Sequence, residues 1–107
     1  MVGAMKETVL PLGGRLEAAS VAALQNQLNE ASLLGSERVL VDMSGVKFIG
    51  SAALRAILVT AKRLAGKGGK LSIFAPPQII QIFKVSGLDT VLSVHINRAQ
   101  ALEALLG

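Results

Sequence analysis

The sequence contains no cysteine, which excludes thiol catalysis, thiolate metal sites and a disulfide framework. Tryptophan and tyrosine are also absent, so aliphatic residues and alanine must supply most of the core. Charged residues make up 17% of the 107 residues and hydrophobic residues 51%, a balance that excludes a disordered chain. No apolar run reaches the roughly 18 residues of a membrane span, and no signal peptide is recognisable. We therefore expect one soluble, cytoplasmic domain over residues 1–107, without membrane insertion.

Positive charge exceeds negative charge in this chain. Eleven Lys and Arg residues against seven acids give a formal net charge of +4 and a pI near 10.0. Nucleic-acid binding needs clustered charge together with aromatic groups for stacking. Most of the basic residues are scattered, and the one local group, around a glycine turn, is Lys62, Arg63, Lys67 and Lys70. We therefore do not expect direct nucleic-acid binding.

Strand and helix patterns alternate along the whole chain. Strands are predicted over 6–12, 38–43, 46–49, 70–74 and 91–96, and helices over 18–34, 51–65, 78–84 and 98–106. Ser44-Gly45 is interpreted as a turn, and Pro11 marks the first strand as an edge strand or a bulged one. The alternation predicts an α/β fold with parallel neighbours and crossover helices. We expect a mixed sheet of about four strands with helices packed mainly on one side.

The apolar positions of these patterns predict the core. All of them are aliphatic or phenylalanine side chains on the inward stripe of a helix or in a strand. They are Leu24, Leu28, Val39, Val41, Phe48, Leu54, Ile57, Leu58, Ile73, Phe83 and Leu102.

Catalysis is not expected. The one histidine, His95, has no nearby sequence signal for a nucleophile and an orienting acid. The acids are dispersed, no pair has the spacing of metal ligands, and nothing indicates a cofactor. Asp42 ends a strand, and capping of the Ser44-Gly45 turn is the simpler role for its carboxylate. We therefore expect a protein that is not an enzyme and holds neither metal nor cofactor.

Gly50-Ser51 is the most informative short segment, because it follows a strand and opens a helix. Backbone N–H groups and the dipole at such a helix start favour an anion, including a phosphate carried by the serine itself. The alternative is that Ser51 simply caps the helix, which position alone favours.

Residues 38–58, RVLVDMSGVKFIGSAALRAIL, resemble the signature of the STAS family, the sulfate-transporter and anti-sigma-factor-antagonist domain. That signature consists of aliphatics, D-L-S-x-V-x-F-x-D-S-[ST]-G-L and an amphipathic helix. Residues 74–88, FAPPQIIQIFKVSGL, look like the second family signature, and GRLE at 14–17 corresponds to its early turn. The resemblance covers nearly the whole chain and implies the STAS fold.

The resemblance also implies a function. It suggests an anti-sigma-factor antagonist that binds a serine-kinase anti-sigma factor through Ile49, Gly50, Ser51, Ala52 and Arg55. In phosphorylated members the modified hydroxyl lies within the S-[ST] pair, where only Ser51 remains here as an acceptor. If the second position of that pair is the modified one, Ala52 abolishes the switch.

Two other hypotheses remain open. One is a non-switching scaffold or accessory subunit of a signalling complex or a lipid-transport ATPase assembly, which the altered loop Gly50-Ser51-Ala52-Ala53 favours. The other is a small domain that senses a nucleotide or a lipid. The sequence leaves the oligomeric state open.

Overall fold

The computed structural model describes residues 7–33 and 38–106, which form four strands and four helices. The strands are β1 (Glu7–Leu16), β2 (Arg38–Ile49), β3 (Lys70–Phe74) and β4 (Ser93–His95). The helices are α1 (Val21–Leu33), α2 (Ser51–Gly66), α3 (Pro77–Val85) and α4 (Arg98–Leu106). Short 3-10 turns precede α1 at Ala18–Ser20 and β4 at Leu88–Thr90. The predicted end of the first helix at Leu34 lies outside the described residues.

The sheet has the strand order β1-β2-β3-β4, and every neighbouring pair is parallel. The α/β class is confirmed, but the expectation of a mixed sheet is wrong for the described residues. A helix separates each strand from the next, so the chain returns to the same end of the sheet before each new strand begins. The three crossovers all proceed in the same direction across the sheet. Because crossovers between parallel strands have the same handedness, their helices α1, α2 and α3 lie on one face of the sheet.

The two faces of the sheet are covered unequally. The main core cluster joins α1, α2 and α3 to one face, with Leu28, Ile57 and Phe83 among its fully buried members. A second, smaller cluster joins Leu40 to Ala101 and Leu105 of α4 on the other face. Helix α4 follows β4 and does not connect two of the described strands. The handedness of crossovers therefore does not determine on which face of the sheet α4 lies. The expectation that helices lie mainly on one side is confirmed.

Strand β2 is longer than its sequence pattern indicates. The predicted turn at Ser44-Gly45 does not interrupt it, because β1 pairs with it from Glu7↔Arg38 to Leu16↔Ile49. The register shifts between Pro11 and Gly13, and again between Gly14 and Arg15, and at each shift β2 has one residue more than β1. The extra residues make β2 the bulged strand. Of the two alternatives for the first strand, the edge strand is therefore confirmed, since β1 lies at the edge of the sheet, and the bulge in β1 is wrong.

Three predicted core residues are less buried than expected. Phe48 is 37% exposed, and Leu58 and Leu102 are only partly buried at the rim of the two clusters. The α2 stripe is rotated toward Ala53, Ile57 and Leu64, so Leu58 lies at its border. The other predicted core residues are buried.

Candidate functional site

The segment that joins β2 to α2 sits at the carboxyl end of the sheet. The Gly50 N–H donates to the Leu16 carbonyl at 2.8 Å, which ties the segment to the end of β1. The Gly50 carbonyl accepts from the Leu54 N–H at 3.0 Å, so Gly50 is the N-cap of α2 and Ser51 is the first helical residue. No side chain caps the helix. The interpretation of Ser51 as a helix cap is therefore wrong, because the backbone places it one position too late.

Helices α1 and α2 enclose a groove of about 480 Å³ beside Ser51. Ser51, Ala52, Arg55 and Val59 line it from α2, where their spacing of three or four residues puts them on one face of the helix. All four are exposed, and Val59 is 43% exposed. The groove is a surface feature without a lid, and this shape suits a segment of a partner protein.

The structure brings some of the predicted site residues together. Ser51, Ala52 and Arg55 share the groove, with Gly50 half-buried at its upper edge. Ile49 is only 2% exposed and belongs to the main core cluster. Its side chain therefore anchors the end of β2 and does not reach a partner.

Sequence patterns missed four residues of the groove, one of which is the buried Ala56 of α2. Val21 and Gln25 contribute the α1 wall, and Val59 extends the α2 wall one turn beyond Arg55. Val59 had a detectable signal, since it is an apolar side chain outside the apolar stripe of its helix. Val21 and Gln25 had none, because only the packing of α1 against α2 places them next to Ser51.

An aromatic–cation pair lies on the other side of Gly50. The Arg15 guanidinium stacks 4.6 Å above the Phe48 ring, and its Nη2 lies 2.8 Å from Glu17 Oε1. A Cβ built on Gly50 would contact the Phe48 ring at 3.6 Å, so this pair adjoins the α2 start directly. The exposed surface around Ser51 therefore continues from the groove toward the end of β1.

The remaining chemical candidates are structural. Asp42 Oδ1 accepts from the Ser44 N–H at 2.9 Å, which confirms its local capping role, and Oδ2 lies 3.3 Å from Arg98. The Ser93 hydroxyl lies 2.6 Å from His95 Nε2, a contact between side chains two residues apart on one strand. Within residues 7–33 and 38–106, no hydrogen bond orients the other ring nitrogen of His95, so the pair lacks the third group of a triad.

The described part of the chain has neither a metal-binding cluster nor a membrane-spanning helix. It contains no group of three or more His, Asp or Glu side chains that would hold a metal ion. No helix in it is long and apolar enough to cross a membrane.

The family model described as "Mlab, STAS domain" matches residues 3–95. The chain belongs to this STAS family. The protein named "Putative anti-sigma factor antagonist BtrV" from Bordetella bronchiseptica is 30% identical over 94 residues, which span 87% of this chain and 81% of BtrV. The family resemblance proposed from the sequence is thereby confirmed.

Solved structures support the fold of this STAS domain. An anti-sigma factor antagonist from Mycobacterium paratuberculosis superposes with a TM-score of 0.86 at 22% identity, covering 94% of this chain and 86% of that one. The Bacillus protein SpoIIAA in its phosphorylated form superposes with a TM-score of 0.63 at 18% identity, covering 97% and 95%. By sequence and by fold, the chain groups with the anti-sigma factor antagonists of the family.

Proposed function

We propose that this STAS domain is a cytoplasmic regulatory protein that binds a serine-kinase anti-sigma factor and so releases a sigma factor. The observation that carries the proposal is the exposed Ser51 in the first turn of α2, which lines an open groove between α1 and α2. The similarity to BtrV, whose name describes an anti-sigma factor antagonist, supports the binding of an anti-sigma factor. In this role the domain is a binding partner and a substrate of the kinase, and it performs no catalysis itself.

The groove has the chemistry of a protein interface. Val21 and Val59 supply apolar surface, while Gln25 and Arg55 supply hydrogen-bond donors at its border. An apolar centre with a polar border is typical of transient interfaces, and arginine is enriched among the residues that carry their binding energy. Gly50, Ser51 and Ala52 complete the proposed contact surface at the helix start.

Phosphorylation of Ser51 would control this contact. Phosphate would add nearly two negative charges at the edge of the groove, which disfavours an apolar or acidic partner surface. The fold would tolerate the phosphate, because the free N–H groups and dipole of a helix N-terminus stabilise negative charge. The phosphorylated form of SpoIIAA shows that a protein of this fold carries such a group. The effect therefore falls on binding and leaves stability nearly unchanged.

Binding is tested by calorimetric titration of the full chain with the purified serine-kinase anti-sigma factor from the same genome. Ser51→Asp is expected to weaken binding by about 1–3 kcal/mol while the protein stays folded. Ala99→Asp is the matched control, because it places the same charge in the exposed first turn of α4, away from the groove. Equal affinity of Ser51→Asp and wild type would contradict the proposed surface.

Phosphorylation is tested separately with the same kinase and ATP. Mass spectrometry should locate one phosphate on Ser51, and Ser51→Ala should bind the kinase yet resist modification. Binding without any phosphate on Ser51 would contradict the proposed phosphorylation switch and support the proposed interaction.

The second candidate function is a scaffold or accessory subunit that is not phosphorylated. The observation that favours it is the composition of the α2 start, where Gly50, Ala52 and Ala53 replace the acid, the second hydroxyl and the glycine of the family signature. A stable complex in native lysate that lacks any kinase would support this candidate.

A further inference from the structure

The end of α2 and the turn that follows it carry an unbalanced cluster of positive charge. We name residues 62–70 the basic turn; its cations are Lys62, Arg63, Lys67 and Lys70, and it contains no acid. Without these four, the chain has seven basic residues against seven acids. The whole net charge of +4 therefore resides in nine consecutive residues.

All four cationic side chains of the basic turn are exposed. Arg63 Nη1 donates to Asn29 Oδ1 of α1 at 3.0 Å, which fixes the guanidinium beside the helix pair. None of the four forms a salt bridge with a carboxylate in the described part of the chain, although Glu30 follows Asn29 on α1. Within the described residues their charge therefore faces solvent, although Arg63 also joins α2 to α1 through its hydrogen bond to Asn29.

The backbone of the basic turn is ordered by its own hydrogen bonds. The N–H groups of Lys67 and Gly69 donate to the Leu64 carbonyl at 3.0 and 2.7 Å, and that of Gly68 donates to Ala65 at 3.1 Å. Gly68 has φ = 81°, a conformation that a residue with a side chain rarely adopts. The lysines are therefore presented by a preformed turn, which lowers the entropy lost when a partner binds.

The basic turn lies at the opposite end of α2 from Ser51. The 16 residues of the helix span about 24 Å, so a partner at one end leaves the other end accessible.

We propose that the basic turn is a second docking surface, which takes an acidic segment of a partner protein. Charge complementarity argues for an anionic partner. The turn contains no aromatic residue on which bases could stack, which disfavours single-stranded nucleic acid. No large hydrophobic side chain is exposed within it, which disfavours insertion into a lipid surface.

The proposal is tested with a fluorescein-labelled octaglutamate peptide, whose binding to the full chain is followed by anisotropy at low ionic strength. The double variant Lys67→Gln/Lys70→Gln should weaken binding about five- to tenfold, the effect of two exposed charge contacts. The control Lys47→Gln/Lys84→Gln removes the same charge from exposed positions elsewhere and should change affinity less than about twofold. Equal losses in the two double variants would mean that net charge alone drives binding, and would overturn the site.

Two further measurements decide the occupant and the location. Anionic phosphatidylglycerol vesicles and a short DNA duplex are titrated under the same conditions, and tighter binding of either would overturn the assignment to an acidic protein segment. Amide shifts caused by the peptide should cluster at 62–70 and persist in Ser51→Asp. Shifts centred on 50–55 would place the peptide at the groove and refute the basic turn as its site.

Discussion

Replacement of Gly50 by aspartate tests how the start of α2 is built. Gly50 caps the helix with φ −92° and ψ 170°, a conformation open to any residue. A Cβ there would meet the Leu16 carbonyl oxygen and the Phe48 ring at 3.6 Å, an ordinary contact distance. Glu17 is nearby, but Arg15 pairs with it at 2.8 Å. The site therefore accepts a side chain without rearrangement.

The expected result is a gain in stability of about 1 kcal/mol for Gly50→Asp. Loss of glycine reduces the conformational entropy of the unfolded chain by roughly 0.4–1 kcal/mol, and a carboxylate at a helix N-terminus adds about 0.3–1 kcal/mol. As a cap, aspartate is better than glycine by only a few tenths of a kcal/mol. Gly50→Ala is the control, because it keeps the entropy term but is a poor cap, and we expect it to be neutral or destabilising.

The assay is urea unfolding followed by far-UV circular dichroism, since the chain has no Trp or Tyr to report by fluorescence. A gain of this size also raises the Tm by about 4 °C in a domain of this length. The helix start favours the ionised carboxylate of the variant, so the pKa of this group is lower in the folded state than in the unfolded one. The electrostatic part of the gain is therefore present above the usual aspartate pKa of about 3.9 and is lost as pH falls below it, whereas the entropy part does not depend on pH. Equal stabilities of the aspartate and alanine variants would refute the cap argument.

The remaining predictions concern the core and the α4 face. Ile57→Ala should cost about 3 kcal/mol, because Ile57 is fully buried in the main cluster, whereas Leu58→Ala should cost only about 1 kcal/mol at its half-covered position. Equal losses in urea unfolding would mean that the α2 stripe is wrongly placed. Ser72→Ala should be neutral or stabilising by up to about 1 kcal/mol, because the buried Ser72 hydroxyl has no partner in the described structure. A clear loss of stability in thermal unfolding would indicate that this hydroxyl is satisfied in solution.

Local sequence patterns predicted the helices and strands of this fold well. Each element has its own hydrophobic periodicity and is bounded by residues that favour turns or helix ends. The strand at Lys70–Phe74 and the helix at Arg98–Leu106 have the predicted bounds, and α2 extends only one residue beyond them. The pattern failed at Ser44-Gly45, where a turn-forming dipeptide remains in a strand. The dipeptide lies at a bulge, where Met43 and Ser44 stand against Leu12 alone, and pairing with β1 resumes at Gly45.

Burial was harder to predict than periodicity. Phe48 has the sequence pattern of a core residue. Its side chain is nevertheless partly exposed, and its ring stacks against the Arg15 guanidinium. The sequence has no signal for that pairing, because the two residues lie on different strands and meet only through the shifted register Arg15↔Phe48. The alternation of strands and helices predicted parallel neighbours correctly. The expectation of a mixed sheet was wrong because each connection between the described strands contains a crossover helix, so that every strand pair is parallel.

Part of the candidate site could likewise be predicted from local sequence, and part depends on how the helices pack. Gly50, Ser51 and Arg55 were found from sequence because a strand end, a helix start and a family signature coincide within six residues. The groove beside them was not, because Val21 and Gln25 come from a helix 26 or more positions earlier and enter only when α1 packs on α2. A partner that binds this surface therefore contacts both α1 and α2. Any change that moves α1 against α2 should alter binding even if Ser51 and its loop are untouched.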